Sequence, residues 1–286
     1  MKTVYQYILL LCLIVCSLPL MAAQNNLHNL HIGVAGGMNH HLIPKDEPLT
    51  SKIGANGALA LDYVLYHPLK NRNTHVGFKT GLLLGYRQAQ YNGAFEQQFS
   101  HMDYLGNQMD YTTSGNVNIA QQQLYASLPL MFALRQQGLV WNIGVRLQAN
   151  MHLQGTQQIT SPLIRAYYPA YGVTITNELI TGLPSDNQLS MPMAKTPMVI
   201  ECLAATEIGY EFSINKKNAV GVMAYCHVGM WNSLSTASGQ TIIQVAPITD
   251  STNPVPAVTI GDAYSALLNT YMPLQVGVTL YYALHL

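Results

Sequence analysis

Seven charged side chains recur in one phase of alternating segments, and they are the first candidates for chemistry. Lys79 and Arg87 share a phase with Gly77, Gly81 and Gly85, and Arg146 shares one with Asn142, Gly144, Gln148, Asn150 and His152. Glu201, Glu207 and Glu211 fall in register with Gly209, and a further segment adds Asp62. Charges that leave water are costly unless they are paired, and this set is close to balanced in sign. The pattern predicts a mutual ionic network in a tight interior, with inward glycines making room for long Arg and Glu side chains. A competing use is a proton or solute path, but in a narrow barrel packing alone accounts for the charges.

Other chemistry is less well supported. A Ser/His/acid set could be drawn from His227, Ser233, Ser235 and His152, yet a nucleophile needs a base in hydrogen-bond reach and a third group to orient it. Trp231-Asn232 before Ser233 matches no lipase motif. His28, His31, His40 and His41 suggest a metal, but a strand places residues 28 and 31 on opposite faces, and adjacent histidines diverge in the same way. No catalytic residue, cofactor or metal site is expected.

The elements that must position the charges are strands. In the last segment Leu274, Val276, Val278, Leu280, Tyr282, Leu284 and Leu286 share one face, and Gln275, Gly277, Thr279, Tyr281, Ala283 and His285 the other. Period two means strand. The same alternation places strands at 28–40, 52–66, 75–92, 117–135, 139–153, 196–214, 219–233 and 271–286. The segments between them, 41–51, 67–74, 93–116, 136–138, 154–195, 215–218 and 234–270, run long and short by turns.

Only 9% of the chain is charged. A soluble barrel would coat its outside with charge, so here the apolar face should meet lipid and the glycine-rich, ionic face should turn inward. The expected fold is therefore all-β: an antiparallel up-and-down transmembrane β-barrel of eight strands with long extracellular loops. Ten strands are possible if one of the two longest loops hides a membrane hairpin. Bacterial barrels of this kind pair short periplasmic turns with longer outer loops, which places both termini in the periplasm.

Residues 1–23 read as an export signal: Lys2 gives a positive start, Ile8 to Leu20 an apolar run, and Met21-Ala22-Ala23 a small-residue cleavage site. Residues 24–286 then form one barrel domain. Removing Lys2 leaves one fewer basic residue than the 13 acidic ones, and no basic patch argues for nucleic acid. No later apolar run reaches the length of about 18 that a spanning helix needs. Cys202 and Cys226 lie on strands expected to be neighbours across the 215–218 turn, where paired numbers should sum to about 432 or 434, whereas theirs sum to 428. The two thiols therefore sit diagonally, too far apart for a bridge.

Some residues resemble a known group. Leu124-Tyr125-Ala126-Ser127-Leu128-Pro129-Leu130-Met131-Phe132 resembles the strand found in the small outer-membrane β-barrel (PorT-like) families of Bacteroidota. Gly209-Tyr210-Glu211-Phe212 followed by a short polar turn is similar to those families too. Gln275, Gly277, Leu280 and Tyr282 resemble the signal read by the barrel-assembly machinery. The resemblance implies fold and location, with outer-membrane lipid and that machinery as partners. It transfers no functional residue set.

Function should then lie in the loops, since barrel walls chiefly solve a folding problem and exposed loops carry specificity. Loop 154–195 holds Tyr167, Tyr168 and Tyr171 among Pro162, Pro169, Pro184 and Pro192, with Pro197 at its border. Tyr offers amphipathic contact area at low entropic cost. Alternation at Val173 and Ile175, and at Ile243, Val245, Val258 and Ile260, suggests strands extending above the membrane. The reading is a non-enzymatic barrel whose loops bind or assemble with another envelope protein. A narrow solute channel and a lipid-modifying enzyme are the alternatives.

Overall fold

The computed structural model describes residues 27–69, 73–102, 105–176, 188–193, 198–230, 242–245, 258–268 and 271–286. In chain order the elements are β1 (Leu27–Leu42), β2 (Leu49–Lys52), β3 (Gly54–Pro68), β4 (Thr74–Met102), β5 (Gln108–Gln136), β6 (Leu139–Tyr168), β7 (Val173–Thr176), β8 (Gln188–Pro192), β9 (Val199–Ser213), β10 (Asn218–Gly229), β11 (Ile243–Val245), β12 (Val258–Ile260), a single helical turn α1 (Ala263–Leu267) and β13 (Met272–His285).

Eight strands close on themselves in the order β4-β3-β1-β13-β10-β9-β6-β5, with β5 returning to β4, and every neighbouring pair is antiparallel. Closure satisfies every edge, which a lone sheet cannot do. The eight expected strands are these eight. The additional short strands do not enlarge the ring: β7 and β8 pair only with β6, β2 only with β4, and β11 with β12 in a separate hairpin. Val173, Ile175, Ile243, Val245, Val258 and Ile260 lie in those extra strands.

The strand ends depart from expectation at one end of the ring. Segment 93–116 reads as a long loop in the sequence, but β4 runs on to Met102 and β5 starts at Gln108, paired rung by rung down to Met102↔Gln108. β6 likewise continues to Tyr168, well into the segment expected to be a loop. The periodicity persists there, but the two faces exchange character. Lower on β4 the outward residues are Phe78, Leu82 and Leu84, and Lys79 and Arg87 face in. Higher up, Gln90, Glu96 and Gln98 face out and Tyr91 and Phe95 face in. On β5, Leu124 and Phe132 are exposed below, and Met109, Tyr111, Val117 and Ile119 are buried above.

A β-bulge marks the change on β6. Gln122 pairs with Gln154 but Gln123 pairs with His152, so Leu153 is an extra residue. It reverses the parity: Met151 and Leu153 are exposed below it, and Gln157 and Ile159 are buried above. A bulge re-aims side chains in this way at the cost of one unpaired residue.

The opposite end of the ring is held by tight turns. Gln137 (φ 50°) and Gly138 (φ 93°) both lie in the left-handed region, as a two-residue hairpin between twisted strands requires. Between β9 and β10 the Asn215 Oδ1 accepts from the backbone N–H groups of Lys217 (2.8 Å) and Asn218 (2.9 Å). Midway along β5 the ladder to β4 skips from Thr80↔Leu130 to Leu83↔Ser127. Pro129, which has no N–H to donate, lies in that gap.

Cys226 pairs with Thr206, a register sum of 432, and both Cys202 and Cys226 are free thiols.

Candidate functional site

Inside the ring the alternating strands bring the charges together in three tiers. Nearest the tight turns, Glu211 takes Arg135 at 2.5 Å, with His285 at 3.5 Å and His31 at 3.9 Å, and accepts from the Tyr281 hydroxyl at 3.4 Å. In the middle tier Lys79 bridges Asp62 (2.8 Å) and Glu207 (2.7 Å). Glu207 also accepts from Arg146 at 3.1 Å and from the Asn142 amide at 2.9 Å. In the upper tier Arg87 holds Glu201 through both terminal nitrogens, at 3.0 and 2.8 Å, and donates its Nε to Gln123 at 2.7 Å. Glu201 further accepts from Tyr271 (2.9 Å) and Gln148 (3.3 Å).

All seven charges singled out in the sequence are buried, Arg87 completely. Arg135 makes the set even, four cations against four carboxylates. Buried ion pairs hold best when their remaining polar atoms are also bonded; amides and tyrosines supply many of those bonds, while Asp62 Oδ1 and Arg146 Nε have no hydrogen-bond partner among the described residues. Sequence reasoning missed Arg135, which has the same parity as Tyr125 and Ser127 and could have been found by extending the alternation to the strand end. Tyr271 gave no such signal, because it precedes β13. His227, considered for catalysis, is fully buried beside Arg146 (3.4 Å). Trp231, Ser233 and Ser235 lie outside the described residues, as do Pro184, Pro197 and the export signal. Among the described residues no three His, Cys, Asp or Glu side chains gather as a metal site.

Above the ionic tiers the interior turns apolar. Leu49, Tyr91, Phe95, Tyr111, Ile119, Ile159 and Ile164 pack with Ile242, Ile243, Val245, Tyr264, Leu267 and Leu268. Two inward glutamines fasten the loop segments to this core. Gln157 donates to the Gly261 carbonyl (2.7 Å) and accepts from the Ala263 N–H (2.9 Å), and Gln97 accepts from the Ile242 N–H (2.7 Å). Asp262 caps α1 by accepting from the Tyr264 N–H at 3.1 Å. Burial raises the Tyr264 phenol well above its ordinary value, so it stays neutral. At the junction of the two zones His41 stacks on Tyr271 at 4.5 Å and is hydrogen-bonded to Tyr91.

The tyrosines expected to make loop contacts are divided. Tyr168 packs partly against the upper core, whereas Tyr167 (43% exposed) and Tyr171 (63%) project to the outside. Met102 and Leu105 at the β4–β5 tip are similarly exposed, and Asn107 from that tip donates to the Tyr171 hydroxyl at 3.4 Å. The four residues resembling an assembly signal split by face: Gln275 is buried, and Leu280 and Tyr282 are exposed on the wall. Gly277 faces inward, where a Cβ would come within 2.5 Å of the Tyr225 hydroxyl.

This geometry defines a closed antiparallel ring with a packed, neutralised interior and a separate apolar core above it. Compared with models of known protein families and with curated proteins, the chain matches none.

Proposed function

We propose that the chain is a non-enzymatic outer-membrane β-barrel whose loop end provides a binding or assembly surface for another envelope protein. One observation carries the reading. The outside of the ring exposes a continuous belt of Ile32, Val34, Leu59, Leu61, Leu82, Leu84, Phe132, Ile143, Ile208 and Leu280, while the inside holds paired charges. Water would penalise that arrangement and hydrocarbon favours it. The resemblance to PorT-like barrels of Bacteroidota supports the same location. On this reading the tight turns and both termini lie in the periplasm, with outer-membrane lipid and the barrel-assembly machinery as partners.

The plugged interior argues against conduction, since an eight-stranded ring is only wide enough to be filled by side chains. The interior carboxylates are each ion-paired, which disfavours a general-base role for them. The exposed Met102, Leu105, Tyr167 and Tyr171 at the far end are suited to a protein partner, aromatic and Met side chains being enriched in such contacts.

The test is affinity purification from mildly solubilised envelopes, paired with planar-bilayer recordings of the purified protein. A stoichiometric companion lost on Tyr167→Ala plus Tyr171→Ala, together with silent bilayers, is expected. Stable conductance steps would sink the plugged-barrel reading, and a companion indifferent to those tyrosines would sink the loop surface.

A further inference from the structure

The belt is not uniform. On the wall formed by β3, β4, β5 and β6 a groove of about 560 Å³ opens between Leu59, Leu84, Tyr86, Leu124 and Met151. Two small outward residues, Gly57 and Ala126, help to open it. A Cβ at Gly57 would touch only the Ala35 carbonyl, at 3.6 Å, so the space beyond it is free.

Directly above, on the same strands, lies a polar hollow of about 190 Å³ with Ala120 among its lining residues. Register sets Lys52 beside Gln90, Gln90 beside Ala120, and Ala120 beside Thr156; one rung higher, Asn118 stands beside Gln158. Between groove and hollow runs the rung Gln88–Gln122–Gln154, where Gln154 donates to Gln122 at 2.6 Å. Four residue steps along β4 take Tyr86 to Gln90, which is about 13 Å along a strand.

An apolar groove capped by a hydrogen-bonding hollow is the shape of an amphiphile. We propose that this wall is a docking site for an acylated, phosphorylated sugar lipid of the outer leaflet, with an acyl chain in the groove and the sugar in the hollow. The inference rests on the membrane reading and gives it a specific lipid. The hollow's chemistry selects the headgroup. Carboxamides both donate and accept, as sugar hydroxyls do, and Lys52 is the only charged side chain among the lining residues, suited to a phosphate. The hollow spans β2, β4, β5 and β6, three interstrand spacings or about 14 Å, and its volume of about 190 Å³ admits one phosphorylated sugar ring of the headgroup.

The experiment is native mass spectrometry of the detergent-solubilised full chain. Its probes are an acylated diphosphoryl glucosamine disaccharide, the same disaccharide without acyl chains, and phosphatidylglycerol. Insertion is scored separately by flotation with vesicles. The acylated disaccharide should be retained over phosphatidylglycerol by about tenfold. Gly57→Leu plus Ala126→Leu, which fill the groove, and Lys52→Glu plus Asn118→Leu, which spoil the hollow, should each remove about tenfold of that retention while flotation persists. Equal retention of phosphatidylglycerol, or equal binding of the disaccharide without acyl chains, overturns the proposal and leaves the barrel reading standing. Failure of the wild-type chain to float overturns both.

Discussion

The lower ring and the upper extension are built from the same three strands with opposite rules. Below, β4, β5 and β6 present Leu84, Leu124 and Ile143 outward and enclose Arg87, Gln123 and Arg146; above, they present Gln90, Asn118 and Thr156 outward and enclose Tyr91, Ile119 and Ile159. On the membrane reading proposed above, one backbone serves two solvents. Hydrocarbon outside would favour inward charges that are paired internally, as the four cations and four carboxylates of the ionic tiers are. Water outside would allow an ordinary apolar core, and the loop segments 242–245 and 258–268 pack into it.

The comparison is most easily broken at the middle ionic tier. Glu207→Gln leaves Arg146 with no carboxylate, and removing one member of a buried pair costs about 3–5 kcal/mol. A urea titration of vesicle-folded protein should show that loss, and adding Arg146→Met should recover most of it. A double variant as weak as the single would mean that the charges are not energetically paired.

The upper core should be softer and separable. Ile164→Ala empties a fully buried position, at a cost of about 2–5 kcal/mol. Hydrogen exchange is expected to quicken around 242–245 and 258–268 while amides of the ring stay protected. Uniform loss of protection would show that the two regions fold as one.

A third contrast places the boundary between the solvents. Leu84→Arg on the belt should cost about 2–4 kcal/mol in a bilayer, whereas Ala94→Arg, outward on the same strand, should cost under about 0.5 kcal/mol. Similar penalties at both positions would move the boundary above residue 94.

The smallest effect concerns Asp110 on the upper rim. Hydrogen bonds from Ser100 (2.6 Å) and Gln108 (2.8 Å) hold its carboxyl below the ordinary value of 3.8. A folded value below the unfolded one stabilises at pH above the unfolded value, and the contribution fades as pH falls through the folded one. Carboxyl NMR titration should find the depression, and Ser100→Ala should bring the value back toward ordinary. An Asp110 that titrates normally in the wild-type chain would contradict this local geometry.

Much of the ring was legible because alternation has no other cheap explanation. Lys79, Arg87 and Glu207 could be assigned to one side from parity alone, and the antiparallel register followed from short turns such as Gln137-Gly138. The long extensions were not legible. At residues 93–116 and 154–168 the apolar and polar phases exchange places, and a reader following greasy outward residues sees the pattern end where it only reverses. Pairing partners such as Arg87 with Glu201 also lay beyond reach, because parity gives a side and not a height. Tyr271 and the clamping role of Gln157 depend on where loops return, which local pattern does not encode.

The unpaired Leu153 constrains how this chain can vary in length. One residue removed there would carry the lower parity of β6 up to the second register shift beside Ser161, delivering Ile159 to the outside and Gln158 to the greasy lid. Two removed or added higher up would keep every side chain on its proper side and merely shorten or heighten the tower. Length variants of the upper tier should therefore arise in steps of two, with the odd residue kept as a fixed hinge of parity.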